Sequence, residues 1–468
     1  MIEGIFMGEL FEVKLGFAPV RRNLFSAAEA VRYKEIIHTA LKKMNINMVD
    51  INWLNEEGLL YNNADVDKVA DYFTGKGVDA VFTPHCNFGS EDVVARLAKK
   101  VGKPLLLWGP RDDAPEPDGN RLRDSQCGLF ATGKVLRRYG VPFTYIENCR
   151  VSDAVFSSGL ADFIAAAGAV KAFKNLRIGQ IDTRPQGFMT MIVDEGALLE
   201  RFGIEVVPVN LQEILSDMDS ILVKRGDFIA AEVKRIRARL DCIRANDANL
   251  EKMAALKQAI KEWAERESLS AVAFQCWNAL QDQTGIAPCY INSELTEEFL
   301  PVSCETDIHG AVTSVITQAL GRWTTPVFFA DITVRHPEND NGELLWHCGP
   351  FPLGLKKPGS AASISKHYIL DSACPGVNEC EIKGGDITVC RFDGDNGVYK
   401  LLGARCKGID GPLSRGTYVW VEFENLPALE EKLVRGPYIH HIAGIHADIT
   451  SALTEFVRYI PGLEPDLV

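Results

Sequence analysis

The chain has 468 residues and a mass of 51.7 kDa, more than a single core ordinarily serves, so two or three domains are expected. With 46% hydrophobic and 24% charged residues and a mean hydropathy of −0.03, the composition is that of a globular protein and excludes extended disorder. The net charge of −13 repels phosphate backbones and anionic lipid, which argues against nucleic acid and membrane as partners.

The start, MIEGIFMGEL, lacks the basic opening and long apolar core of a signal peptide, and no run of about 18 apolar residues follows. A cytoplasmic location is the expectation. The 12 cysteines are scattered through apolar runs with no C-x-x-C pair, and in a reducing compartment they read as buried free thiols.

From residue 26 to about 170, amphipathic helical stretches such as AEAVRYKEIIHTALKKM and EDVVARLAKKVG alternate with short apolar runs, DAVFTP, PLLLWG and FTYIEN. That alternation predicts a parallel sheet covered on both faces. After the helical AVFSSGLADFIAAAGAVKAF, a second αβ block opens at LRIGQID and continues through IEVVPVN, a long charged helical region from about 226 to 267, SAVAFQCW and LPVSCE. Beyond about residue 335 the texture changes to short β-rich runs, ELLWHCG, DITVCRF, YKLLGARC and GTYVWVEF, broken by Gly, Pro and Asp. The fold class expected is α/β: two Rossmann-like parallel-sheet domains, 1–172 and 173–334, then a β-rich barrel-like domain, 335–468, closed by the helix ADITSALTEFVRYI capped by Asp448 or Thr450. There is no G-x-G-x-x-G after the first strand and no G-x-x-x-x-G-K-[ST], so this topology does not imply a dinucleotide or a nucleoside triphosphate.

The segment LPVSCETDIHGAVTSVITQAL reads as a strand ending at Cys304 and a helix starting near Thr306, with Thr306 as the cap and Asp307 in the first turn. Glu305 then stands at the carboxyl end of a strand, where open α/β sheets place their ligands; its other reading is a helix-start charge facing water. Asp331 interrupts the apolar run TPVFFADITV, and a carboxylate buried there needs a partner or a cation unless it faces outward on an edge strand. Lying 26 residues apart on successive β elements, the two acids suit a hard divalent cation. In the strand-like YIHHIAGI, His440 and His441 point to opposite faces, so one of the pair can face a given site. His446, just before the last helix, and His347, between an aromatic strand and a Gly-Pro turn, each have a structural reading as well.

Taken in order, CETDIHGA at 304–311, FADITV at 329–334, LWHCG at 345–349 and the late HH resemble the L-fucose isomerase and L-arabinose isomerase superfamily, in its fucose isomerase-like branch. GFAPVRR, FTPHCNFGSEDVVARLAKK and LLLWGPRD extend the resemblance over most of the chain. It implies one divalent metal, usually manganese, held by Glu305, Asp331 and His441; a count back from Asp448 selects His441, with His440 standing where fucose enzymes commonly have asparagine and Ala447 where they have glycine. His347 matches a histidine that arabinose isomerases place on the metal, and is implied as a ligand or a supporting group. Arg22 and Gln275 match sugar-contacting positions, and Asn87 and Trp108 are weaker candidates contributed by a neighbouring subunit. Assembly into trimers or hexamers, with sites near subunit interfaces, is implied as well.

The activity implied is interconversion of an open-chain aldose and its ketose through an enediolate, with Glu305 and Asp331 as the proton-transferring acids in an order the sequence leaves open. Two substrate classes fit: a neutral fucose- or arabinose-like aldose, or a terminally charged hexose such as a 6-sulfonated glucose, for which Arg22 is the natural clamp. The competing expectations are a metal-dependent epimerase or lyase on the same scaffold, and a cytoplasmic sugar-binding regulator.

Overall fold

A computed structural model describes residues 12–174, 176–370 and 373–468, so the opening MIEGIFMGEL lies outside the described residues. Its contacts divide the chain into two compact units: Met1–Lys171 with Thr454–Pro461, and Ala172–Leu453 with Gly462–Val468.

In the first unit, five parallel strands, Leu15–Phe17 (β1), Met48–Asp50 (β2), Ala80–Pro84 (β3), Leu105–Trp108 (β4) and Thr144–Tyr145 (β5), pair in the order β2-β1-β3-β4-β5. Helices Ala27–Lys43, Val66–Lys76, Glu91–Val101, Ser125–Arg138 and Ala154–Phe173 alternate with them. The first helix is capped by Ser26, whose side chain accepts from the Glu29 amide, and its Ala30, Tyr33, Ile37 and Leu41 recur at the spacing that buries one face. Helix Ala154–Phe173 is long and apolar enough to cross a membrane by composition, a span the sequence reading did not register. Its Phe156, Leu160, Phe163 and Val170 are buried, the pattern of a core helix. Chain returning from residue 454 completes this unit, with the Tyr459 hydroxyl donating to the Leu105 carbonyl at 2.9 Å.

The second unit holds two sheets. Arg177–Ile181 (β6), Glu205–Val209 (β7), Ala271–Phe274 (β9) and Val302–Cys304 (β10) form a parallel sheet in the order β10-β9-β6-β7. The charged region after 226 is two helices, Gly226–Arg239 and Asp247–Arg266, separated by the short strand Cys242–Ile243 (β8), where one long helical region was expected. β8 is drawn out of helix by pairing with Ser363–Lys366 (β13).

The remaining strands are Phe328–His336 (β11), Asn339–His347 (β12), Pro375–Glu381 (β14), Asp386–Asp395 (β15), Val398–Ile409 (β16), Thr417–Phe423 (β17), His441–Ile445 (β18) and Leu463–Leu467 (β19). Antiparallel neighbours run β16-β15-β18-β11-β12-β17, and β17 pairs back onto β16, which closes a six-stranded barrel. Phe328, Leu345, Val389, Leu402, Val421 and Ile442 are among the residues of its apolar cluster. Two boundaries differ from the sequence reading. β11 with Asp331 belongs to the barrel, because its backbone finds antiparallel partners in β12 and β18, so the break expected at 334 falls inside a barrel strand. The last helix spans only Thr450–Val457, with Asp448 accepting from the Thr450 amide at 3.1 Å, and the chain ends in β19, parallel to β16.

The cysteines form no disulfide among the described residues; Cys127 and Cys242 are exposed where burial was expected, on a helix and on a two-residue strand. On β12, burial pushes the Glu343 carboxyl up to about 7, while the Leu344 amide donates to it at 3.1 Å. A carboxyl raised above its unfolded value binds more protons folded than unfolded, so its contribution to stability is lost as pH rises between the two. Glu343→Gln is therefore expected to melt higher than the wild type at pH 8 and at the same temperature at pH 4; equal melting at both would show that Glu343 is solvated.

Candidate active site

Glu305 leaves the end of β10 with φ 55°, and Thr306 follows at φ 59°. Two consecutive residues with side chains in the left-handed region cost on the order of 1–3 kcal/mol each, a strain found where surrounding structure dictates the conformation. The turn displaces the helix cap by one residue from the expected Thr306: Asp307 caps helix Ile308–Leu320, its Oδ1 accepting from the Gly310 amide at 2.8 Å. Gly310 permits this arrangement, since a Cβ there would meet Asp307 Oδ2 at 2.5 Å and the Phe329 ring at 2.6 Å.

Glu305 is buried, and its two oxygens have different surroundings. Oε1 accepts from Trp277 Nε1 at 3.1 Å, and the Cys276 thiol lies 3.7 Å from it. Oε2 is buried with no hydrogen-bond partner and lies 3.6 Å from His347 Nε2 and 4.0 Å from His441 Nε2. Burial raises the pKa of this carboxyl, but His347 and His441 outweigh it and bring it down to about 2, so Glu305 is ionised at neutral pH.

Asp331 enters from the barrel wall. Barrel register sets it opposite His441 on β18 and Trp346 on β12, and directly opposed residues of an antiparallel pair share a face. Asp331 Oδ1 accordingly lies 3.3 Å from His441 Nε2 and 3.8 Å from His347 Nε2, buried and without a hydrogen-bond partner. The side chain as a whole is 16% exposed, so the site is open to solvent. Phe329, two residues earlier on the same strand, meets the His441 ring edge-on at 5.0 Å and the His347 ring at 5.7 Å.

The neighbouring histidines are distinguished by the same register. His441 is buried, whereas His440 is exposed, its ring against that of His441 with centroids 4.4 Å apart. Ligand atoms of Asp331, His440 and His441 fall within 4.8 Å of one another, as do those of Glu305, His347 and His441. His446 is bound elsewhere, through Nε2 to the Lys383 carbonyl at 2.7 Å.

His347 and His441 differ in their second nitrogens. His441 Nδ1 lies 3.0 Å from Asp307 Oδ2, while His347 Nδ1 accepts from the Cys348 amide at 2.9 Å. A proton on His347 therefore belongs at Nε2, toward the two carboxylates. Burial lowers the His347 pKa, and Asp331, Cys348 and Glu305 raise it by more, to well above its ordinary value.

Of the sugar-contacting candidates, Gln275 stands at the end of β9, next to β10, with its Oε1 accepting from the Trp277 amide at 2.8 Å and its backbone amide donating to the Ile181 carbonyl. The other three belong to the first unit. Asn87 is fully buried and spends both donors and both acceptors on Arg22, Ser26 and Gly89, so it pins a loop and has no free amide for a ligand. Trp108 is likewise fully buried, its ring 4.4 Å from Phe156, which makes it a core residue of that unit. The Arg22 guanidinium lies over Phe88 and 3.6 Å from Glu91, and is partly exposed.

The sequence reading passed over Trp277, Arg391 and Asp393, and read Asp307 only as a first-turn acid. Arg391 is an arginine inside the apolar run DITVCRF, the kind of anomaly that marked Asp331.

The site has the elements of a cation site: three buried polar atoms without protein partners, on Glu305, Asp331 and His347, converge with His441 Nε2, and two carboxylates with an imidazole suit a divalent metal. Residues 16–174 match the family model described as fucose/sulfoquinovose isomerase, N-terminal domain. A sulfoquinovose isomerase of Priestia aryabhattai is 26% identical over 448 residues, covering 95% of this chain and 97% of that protein. One from Alkalicoccus urumqiensis is 27% identical over 382 residues, covering 81% and 84%. With the strand-end glutamate, the barrel aspartate and the paired histidines in one site, these matches support the fucose isomerase-like superfamily as the family of this chain.

Proposed function

We propose that this protein is a metal-dependent aldose–ketose isomerase whose substrate is a terminally sulfonated aldohexose. The observation that supports the chemistry is the convergence of Glu305 Oε2, Asp331 Oδ1 and His347 Nε2, unpartnered and buried, beside His441 Nε2. The sulfonated substrate rests on the relatives named above.

Glu305, Asp331 and His441 would hold the cation, with manganese the expected choice, and it would act as a Lewis acid stabilising negative charge on the sugar oxygens. Glu305 and Asp331 carry the proton between carbons. One carboxylate takes the C2 proton as the C–H electron pair becomes the C1=C2 bond of the enediolate. Delivery of a proton to C1 and transfer of the O2 proton to O1 then leave the ketose. Trp277 fixes Glu305 through Oε1 and leaves Oε2 facing the site, and His347 offers Nε2–H to a sugar oxygen. Arg22 is the proposed clamp for the sulfonate and Gln275 a proposed contact to sugar hydroxyls. A reducing compartment such as the cytoplasm is part of the proposal, in keeping with the Cys289 and Cys348 thiols lying 3.5 Å apart without a disulfide. A homo-oligomer, trimer or hexamer, is carried forward as part of the proposal.

The test is metal-stripped protein in deuterated water with a sulfonated aldohexose and neutral aldoses, Mn2+ restored, and products resolved by NMR. Ketose carrying deuterium at C1, formed only with metal and preferentially from the sulfonated sugar, is the expected result. Turnover indifferent to metal removal would overturn metal dependence, and binding without turnover would favour a sugar sensor.

A further inference from the structure

Behind His441 runs a chain of buried charges that does not face the site. Asp307 Oδ2 lies 3.0 Å from His441 Nδ1, and the Arg391 guanidinium grips Asp307 in two places, Nη1 on Oδ2 and Nη2 on Oδ1. Arg391 Nε in turn donates to Asp393 Oδ2 at 2.8 Å, and Asp393 Oδ1 lies 2.7 Å from His309 Nδ1. Asp307, Arg391 and His441 are each at most 2% exposed. The cap bond to Gly310 fixes the remaining side of Asp307, so the carboxylate is held at both oxygens.

The hydrogen in the Asp307–His441 bond belongs to His441, because an ionised carboxylate only accepts. A neutral imidazole carries one proton, so its Nε2 is then a lone pair, and that atom is the one aimed at Asp331 Oδ1 and Glu305 Oε2. His347 has the opposite arrangement, with the Cys348 amide occupying Nδ1. Two buried histidines with ring centroids 6.1 Å apart thus present different chemistry to one site, an acceptor and a donor.

We infer that Asp307 is a positioning residue that commits His441 to the Nδ1–H tautomer, with Arg391 and Asp393 holding Asp307 in place, so that His441 presents a metal-binding lone pair and His347 does not. This rests on the reading of Glu305, Asp331 and His441 as the ligand set. Partners of this kind orient a metal-ligating imidazole and raise its affinity for the ion.

Asp307→Asn keeps the shape and inverts the polarity. An asparagine oxygen in the place of Oδ1 keeps the bonds from the Gly310 amide and Arg391 Nη2 and gives up the one from Arg391 Nη1, while an amide N–H now faces His441 Nδ1 and drives its proton to Nε2. The experiment is a long-range proton–nitrogen NMR spectrum of metal-free, 15N-histidine-labelled protein, with the His441 signals assigned by their loss in His441→Gln, followed by calorimetric titration with Mn2+. Expected are Nδ1–H at His441 in the wild type, a shift of that proton to Nε2 in the variant, and Mn2+ affinity lower by about 10- to 100-fold. Wild-type His441 with its proton on Nε2 would overturn the inference without recourse to any variant. So would a folded Asp307→Asn variant that binds Mn2+ within twofold of the wild type. A wild type that binds no Mn2+ removes the ligand reading itself and with it the inference, and the tautomer read in the same metal-free sample tells the two failures apart.

Discussion

Glu305→Gln is expected to lower kcat by about 10³- to 10⁴-fold with little change in melting temperature. Glutamine is nearly isosteric, and its carbonyl oxygen can still accept from Trp277 Nε1, so the turn at the end of β10 has no reason to collapse. What disappears is the charge at Oε2, which in the proposed function serves the site both as a base and as a cation ligand. Holding the carboxyl down to about 2 keeps that charge present throughout the neutral range in the wild type, and the amide cannot restore it at any pH. The check is steady-state kinetics with the sulfonated sugar beside a thermal melt of the same sample. A variant that keeps more than a tenth of the wild-type kcat would remove Glu305 from the chemistry.

The second large effect is on stability. Arg391→Met is expected to destabilise the fold by about 3–5 kcal/mol, because it leaves buried Asp307 and Asp393 without their shared cation. In the wild type, burial raises the pKa of both acids, and Arg391 together with His441 at Asp307 and His309 at Asp393 lowers it by more, so both stand below the ordinary carboxylate range. Denaturant unfolding measures the loss directly, and a change under 1 kcal/mol would mean that water or His309 and His441 compensate the two carboxylates. Adding Asp307→Asn to Arg391→Met should recover part of the loss by removing one of the stranded charges.

The parallel sheets and the barrel were legible because their signals are local: apolar runs between amphipathic helices in one half, strands punctuated by turn residues in the other. Glu305 was legible as an acid at the carboxyl end of a strand and Asp331 as a charge inside an apolar run, whereas strand alternation left His440 and His441 open and only the family resemblance pointed to His441. Arg391 breaks its run in the same manner, but its partners lie 84 residues away in Asp307 and two away in Asp393, and sequence alone offers no register between β15 and the helix that Asp307 caps. Asp307 was mistaken for a first-turn acid because nothing in CETDIHGA announces that Glu305 and Thr306 both turn left-handed and move the cap. Asn87 and Trp108 were chosen by matching positions; their burial reflects tertiary packing that matched letters do not carry.

The return of Thr454–Pro461 to the first unit separates the order of synthesis from the order of folding. All five strands of the first sheet have been made once Tyr145 is added, yet the Tyr459 hydroxyl that meets the Leu105 carbonyl and the Thr144 side chain follows about 300 residues later. At common ribosome speeds that interval is on the order of tens of seconds. Through it the nascent first unit exposes the surface that Phe456, Tyr459 and Ile460 later bury, which makes it a client for chaperones. A stop codon shortly before residue 454 would for the same reason damage the beginning of the protein as well as its end.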